Sequence, residues 1–159
     1  FIPAICALAC KDNQMGQVDF VDAGFDLDNP DDKSKHWGGT GFWKKNNPEE
    51  HFGKFALNNY IETHIMTTSD FKKKFPQRKW SYIHLDGDHS YQGVKKDFNS
   101  FWNSLNRGCF LAFHDIHTQS DENFEYGVNK FWRQLKKKHS TFEFDGKYGL
   151  GILQKNDEN

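Results

Sequence analysis

Two short segments concentrate the residues able to do acid–base or metal chemistry: Asp86-Gly87-Asp88-His89 and His114-Asp115-Ile116-His117. Carboxylate oxygens and imidazole nitrogens on adjacent strand ends can enclose a divalent cation, and a nearby imidazole can take up a proton. On that chemistry Asp86, Asp88, His89, His114, Asp115 and His117 together form a constellation that could hold a cation. The same residues have plainer uses. Asp88 or Ser90 can cap a following helix, and His84 can be a core histidine with both nitrogens satisfied. Asp22 also ends an apolar run, where a carboxylate can accept both hydroxyls of a ribose or simply cap a turn.

Positioning these groups on one rim requires strands that run in the same direction. Gln17 to Asp22, Tyr60 to Met66 and Trp80 to Asp86 read as strands, and the last two close on Thr67-Thr68-Ser69-Asp70 and on the Asp86 segment. Cys109 to Phe113 is a continuous apolar run after Gly108, the pattern of a strand buried on both faces. Helices are expected at residues 2–11, after Pro3, and from Pro48 to Leu57. Two clear stripes mark further helices: Val94, Phe98, Phe101, Trp102 and Leu105, then Phe124 or Val128, Phe131, Trp132 and Leu135. These aromatics are assigned to core packing. Thr141 to Phe144 and Tyr148 to Leu153, joined by Asp145-Gly146-Lys147, read as a hairpin. The order predicts a parallel α/β sheet with an antiparallel edge, whose ligands bind outside the carboxyl ends of the strands.

Composition narrows the function classes. The 159 residues fit a single domain, and a formal charge of -1 offers no polyanion-binding surface, so nucleic acid is not an expected partner. No run approaches the roughly 20 apolar residues of a spanning helix, which excludes an integral membrane protein of that kind. The apolar segment Phe1 to Cys10 lacks a preceding basic residue and reads as interior chain. Three cysteines without a Cys-x-x-Cys pair suit a reduced, cytoplasmic setting. Phe, Trp and Tyr together outnumber Val, Ile and Leu, so the core is expected to be built largely from rings. Lys72-Lys73-Lys74 and Lys136-Lys137-Lys138 are read as solvated helix faces.

The run Ile83-His84-Leu85-Asp86-Gly87-Asp88-His89-Ser90-Tyr91, followed by Val94 and Asp97, by Gly108 to Asp115 and by Gly127-Val128, resembles the second half of class I S-adenosylmethionine-dependent methyltransferases. More narrowly it is similar to the small-molecule O-methyltransferase branch that includes macrocin O-methyltransferase and the cephalosporin-hydroxylase-like proteins. The likeness spans roughly residues 1–154 and is specific over 81–128. It implies a Rossmann-like, mostly parallel sheet with a C-terminal antiparallel hairpin, S-adenosylmethionine as cofactor and a small-molecule hydroxyl as acceptor. It places Asp22 on the cofactor ribose, Ser69 and Asp70 beside the adenine, and Asp86 on the cofactor side as well as in a Mg²⁺ or Mn²⁺ site with His114 and Asp115. His114 stands where metal-dependent relatives often carry a carboxylate; the likeness makes His89 or His117 the nearby base, or His114 itself where no metal is bound. The family's first strand and Gly-rich loop have no counterpart here, so the expectation is an N-terminally truncated methyltransferase-like domain over residues 1–159, missing its first strand. The segment His36 to Trp43 is longer than the fold needs and suits a substrate lid or an anchored surface loop. A homo-oligomer is left open.

Two other readings remain. His84-x-Asp86-x-Asp88-His89 also resembles a variant of the His-x-His-x-Asp-His signature of metallo-β-lactamase-like hydrolases, which would imply a metal-dependent hydrolase. The other is an inactive cofactor-binding module of methyltransferase ancestry.

Overall fold

The structure is a computed structural model that describes residues 2–24, 42–120 and 125–156, apart from the side chain of Lys44. The chain divides into two compact units, Phe1–Phe71 and Lys72–Asn159. Among the described residues its strands form two sheets, one of two strands and one of four.

In the first unit α1 (Ile2–Asp12) is followed by β1 (Val18–Asp22), the short helices α2 (Phe42–Lys45) and α3 (Pro48–Gly53), and β2 (Ile61–Ile65). β1 and β2 pair in parallel from Val18↔Ile61 to Asp22↔Ile65. Ala7, Phe52, Leu57 and Ile61 form the buried centre, with Val18, Phe20 and Trp43 packed against it. α3 starts where Asn47 Oδ1 accepts the backbone N–H of Glu49 (2.9 Å) and Glu50 (3.2 Å), with Pro48 just inside the helix. It stops short of the expected Leu57. Ala56 takes a left-handed φ of 53°, and Leu57 N–H returns to the Phe52 carbonyl. The helix α4 (Thr68–Lys74) opens at Thr67, whose Oγ1 accepts the Asp70 backbone N–H at 3.1 Å and donates to Asp70 Oδ2 at 2.8 Å.

The second unit runs β3 (Trp80–Leu85), α5 (Tyr91–Phe101), a 3₁₀ turn (Trp102–Ser104), β4 (Leu105–His114), α6 (Val128–Leu135), β5 (Thr141–Phe144) and β6 (Leu150–Gln154). The sheet order is β3-β4-β6-β5, with β3 and β4 parallel and β6 antiparallel to both its neighbours. Leu105, expected to close a helix, instead begins β4, and its side chain is buried all the same. Both apolar stripes do their expected work: Val94, Phe98, Phe131, Trp132 and Leu135 pack on Leu85, Leu111, Phe113 and Leu153. Phe98 meets Phe131 edge-on at 5.4 Å, and Phe113 lies 5.6 Å from Trp132. Phe124 of the second stripe lies outside the described residues. Gly151 is required beneath the indole, since a Cβ there would come within 2.5 Å of Trp132 Cζ2.

Rings are not confined to the core. Strand alternation puts Tyr82, Phe110, Phe142 and Phe144 on the sheet face opposite α5 and α6, each at least 41% exposed. The lysine runs also do more than meet solvent. Lys72 Nζ donates to the Pro76 carbonyl and to Ser104 Oγ, and Lys136 pairs with Glu143 at 2.7 Å. All three cysteines are free thiols, and among the described residues no helix is long and apolar enough to cross a membrane.

Candidate active site

The parallel pairing of β3 with β4 sets Leu85 against Phe113, so the next residues, Asp86 and His114, emerge side by side at the carboxyl edge. Asp115 then adopts a left-handed φ of 62°, a conformation aspartate tolerates better than most residues. One oxygen of its carboxylate, Oδ2, lies 2.8 Å from His89 Nε2 and 3.1 Å from His114 Nδ1. The other, Oδ1, accepts a 2.6 Å hydrogen bond from Thr118 Oγ1. Asp86 Oδ1 stands 3.3 Å from His89 Nε2 and 3.4 Å from His114 Nδ1. Two carboxylates and two imidazoles therefore alternate in one cluster, with each nitrogen between both acids.

The electrostatics follow from partial burial. His89 is only 14% exposed, which by itself would lower its pKa, but the hydrogen bonds to Asp115 and Asp86 overcome this and raise it to about 10. Burial works upward on Asp115, yet His89 and Thr118 hold its carboxyl down at about 2. At neutral pH His89 is an imidazolium, and its proton supplies the positive charge that two adjoining carboxylates need.

Packing fixes His89 in place. Its carbonyl accepts the Gly127 N–H at 2.8 Å, and a Cβ at Gly127 would fall 2.1 Å from the Tyr91 nitrogen, so only glycine lets α6 begin this close to α5. Tyr126 lies 5.7 Å from the His89 ring and Tyr148 5.9 Å from the His114 ring. Asp88 Oδ1 accepts the Ser90 N–H, and Ser90 Oγ accepts that of Gly93, so both serve the start of α5.

Four sequence-predicted residues thus meet: Asp86, His89, His114 and Asp115. His117 does not join them; it is exposed, and its Nδ1 lies 3.4 Å from the Gly146 carbonyl on the hairpin side. The His84-x-Asp86-x-Asp88-His89 run forms no metal cluster, because Asp88 accepts the Ser90 N–H at the start of α5 and His84 Nδ1 faces Tyr82 OH, so a metal-dependent hydrolase is not supported. Nor are both His84 nitrogens satisfied: Nδ1 lies 3.3 Å from Tyr82 OH, but Nε2 is buried without a partner among the described residues. Burial pushes the His84 pKa down, partly opposed by Asp86.

In the first unit Asp22 ends β1, with Oδ1 accepting the Gly24 N–H at 2.7 Å. Ser69 lies in the first turn of α4, and the Asp70 carboxylate accepts the Thr67 hydroxyl at 2.8 Å. Trp43, at the end of the expected lid segment, stacks on Phe52 at 5.4 Å as an anchor; residues 36–41 of that segment lie outside the described residues.

Two features were missed from the sequence. The Thr118 contact with Asp115 was legible in principle from its three-residue spacing, that of a side-chain-capped turn. A second trio on β1 and β2, where buried His64 Nε2 lies 3.1 Å from Asp19 Oδ1 and 3.7 Å from Glu62 Oε1, depends on strand register and gave no local signal.

Parallel strands ending in acidic turns, with helices packed on a sheet face, are the Rossmann-like α/β architecture, in which ligands commonly bind at the carboxyl edge. Residues 3–116 match the family described as Methyltransferase domain, and the chain belongs to that family. The O-methyltransferase NovP shares the fold with a TM-score of 0.62 and 10% identity, covering 95% of this chain and 66% of that one. An O-methyltransferase from Bacillus cereus, solved in complex with SAH, gives 0.59 and 10% over 97% of this chain and 80% of the other. TomG from Streptomyces achromogenes, an O-methyltransferase solved with SAM, gives 0.51 and 10% over 98% and 79%. A relative in Sinorhizobium fredii, the uncharacterized protein y4gI, is 31% identical over 71 residues, which are 45% of this chain but only 8% of that protein.

Proposed function

We propose that this chain carries out S-adenosylmethionine-dependent methyl transfer to a hydroxyl of a small molecule. The observation that carries the reading is the Asp86, His89, His114 and Asp115 cluster at adjacent strand ends of a methyltransferase-family domain. When bound, S-adenosylmethionine would supply an electrophilic methyl group to the acceptor oxygen and depart as S-adenosylhomocysteine, a neutral thioether, while the hydroxyl proton would pass to a base. His89 already holds its proton at neutral pH and serves as counter-charge to the carboxylates. His114 is then the base. Its Nδ1 faces an ionised Asp115 that can only accept, so Nδ1 carries hydrogen in the neutral ring and Nε2 keeps the lone pair. On the cofactor side Asp22, Ser69, Asp70 and Asp86 are the proposed contacts. Residues 1–159 are proposed to act as a methyltransferase-like domain, in a cytoplasmic setting.

A second reading is favoured by one distance: single ligand atoms of Asp86, His114 and Asp115 all lie within 4.8 Å of one another. An oxygen-rich donor set with one imidazole fits Mn²⁺ or Mg²⁺ in preference to Zn²⁺. Such an ion would lower the pKa of an acceptor hydroxyl. Incubation with methyl-labelled S-adenosylmethionine and a panel of hydroxylated small molecules, with and without exhaustive chelation, tests both readings. Labelled product after chelation removes the ion and leaves His114 as the candidate base, which loss of product in His114→Ala then decides; product only with added Mn²⁺ assigns the ion. S-adenosylhomocysteine binding without labelled product in either arm would mark an inactive cofactor-binding module.

A further inference from the structure

We infer that Thr118 is a positioning residue for the base: it fixes the Asp115 carboxylate so that Asp115 in turn holds His114 in the tautomer with a free Nε2. The inference rests on the reading of His114 as base. Asp115 is the hinge of the argument because its two oxygens have divided duties. Thr118 Oγ1 donates to Oδ1 at 2.6 Å, and the Thr118 N–H donates to the Asp115 carbonyl at 3.1 Å, closing a tight turn immediately after β4. Oδ2 is left to face His89 at 2.8 Å and His114 at 3.1 Å.

A carboxylate rotates about one bond, and the left-handed backbone at Asp115 leaves its side chain without the support of a regular strand or helix. The hydroxyl of Thr118 supplies that support from the far oxygen. Asp86 cannot substitute for it. Its exposed carboxylate stands 3.4 Å from His114 Nδ1, beyond the 3.1 Å of the Asp115 contact. Without the Thr118 hydroxyl, Oδ1 of a carboxylate that is only 11% exposed loses its hydrogen-bond donor and competes with Oδ2 for the imidazoles. Partners that orient a functional side chain without touching the reacting atoms commonly matter tenfold or more.

The test is long-range ¹H–¹⁵N NMR of the neutral His114 ring, assigned with His114→Gln, in the whole chain. The wild type is expected to show hydrogen on Nδ1 and a bare Nε2. Thr118→Val, which keeps the shape and removes the hydroxyl, should lose about tenfold of that preference and show both tautomers, as expected for one hydrogen bond to a charged group. Thr118→Ser, which restores the hydroxyl, should restore the wild-type pattern, whereas a merely structural role would leave both variants alike. A wild-type ring with hydrogen on Nε2 overturns the inference, as does a Thr118→Val spectrum identical to wild type with its backbone spectrum intact. Neither result depends on methyl transfer. Absence of labelled product in the assay above would sink the function while leaving this relay standing, and an unchanged tautomer would sink the relay alone.

Discussion

Replacing Asp115 by Asn removes the charge that holds the His89 proton while keeping the side chain's shape. His89 is raised from 6.5 to about 10, which at 1.36 kcal/mol per pH unit corresponds to roughly 4–5 kcal/mol of preference for the imidazolium. Asp115, lowered from 3.8 to about 2, gives roughly 2–3 kcal/mol by the same conversion. The values differ because His89 also draws on Asp86 and Asp115 also draws on Thr118; the contact they share is bounded by the smaller, about 2 kcal/mol after screening at a partly open rim. The sign differs at the two ends of the pH range. Since the folded pKa of His89 is raised, its contribution is complete below pH 6.5 and is lost as the pH climbs through about 10. Since that of Asp115 is depressed, its contribution is complete above 3.8 and is lost as the pH falls through about 2. The stability gap between wild type and Asp115→Asn should therefore be widest between about pH 4 and 6.5 and should narrow on both sides. Urea unfolding followed by tryptophan fluorescence measures the gap, and imidazole NMR measures the His89 midpoint directly. A wild-type midpoint near 6.5, or a gap unchanged from pH 5 to pH 10, would refute the ion-pair account.

Asp22→Ala should weaken S-adenosylhomocysteine binding by roughly tenfold or more, as expected for loss of a hydrogen bond to a charged group, and calorimetry reads it directly. Phe131→Ala, which empties a site among Phe98, Phe113 and Trp132, should destabilise the second unit by about 3–5 kcal/mol; a loss under about 1 kcal/mol in urea unfolding would contradict the packing described. Gly127→Ala should force α6 away from Tyr91, break the Gly127 N–H bond to the His89 carbonyl, and bring the NMR midpoint of His89 down toward 6.5. An unmoved midpoint in a folded Gly127→Ala variant would separate the two features.

Periodicity and local chemistry reached far into this fold. The stripes from Val94 and from Val128 are buried where the 3.6-residue repeat puts them, and the apolar run at 109–113 is an inner strand of the four-stranded sheet, but it is not buried on both faces as expected, since Phe110 is exposed. Strand ends were legible because apolar alternation stops at Asp22, Asp86 and His114, and α5 begins at Ser90, one of the two caps, with Asp88, that the residue types offered. Such signals are short in range: each depends on neighbours within a turn or two of chain. What they cannot carry is the direction of a side chain once two distant segments pair. Leu85 opposite Phe113 is a register, set by the whole β3–β4 interface, and it alone brings Asp86 beside His114. The left-handed turn at Asp115 then sets a carboxylate against His89, so three histidines alike in sequence are divided into two that face the same pair of carboxylates and one, His117, that is exposed beside the hairpin. The division of labour arises because pKa and hydrogen-bond geometry are set by atoms 3 Å away in space, and tertiary packing decides which atoms those are.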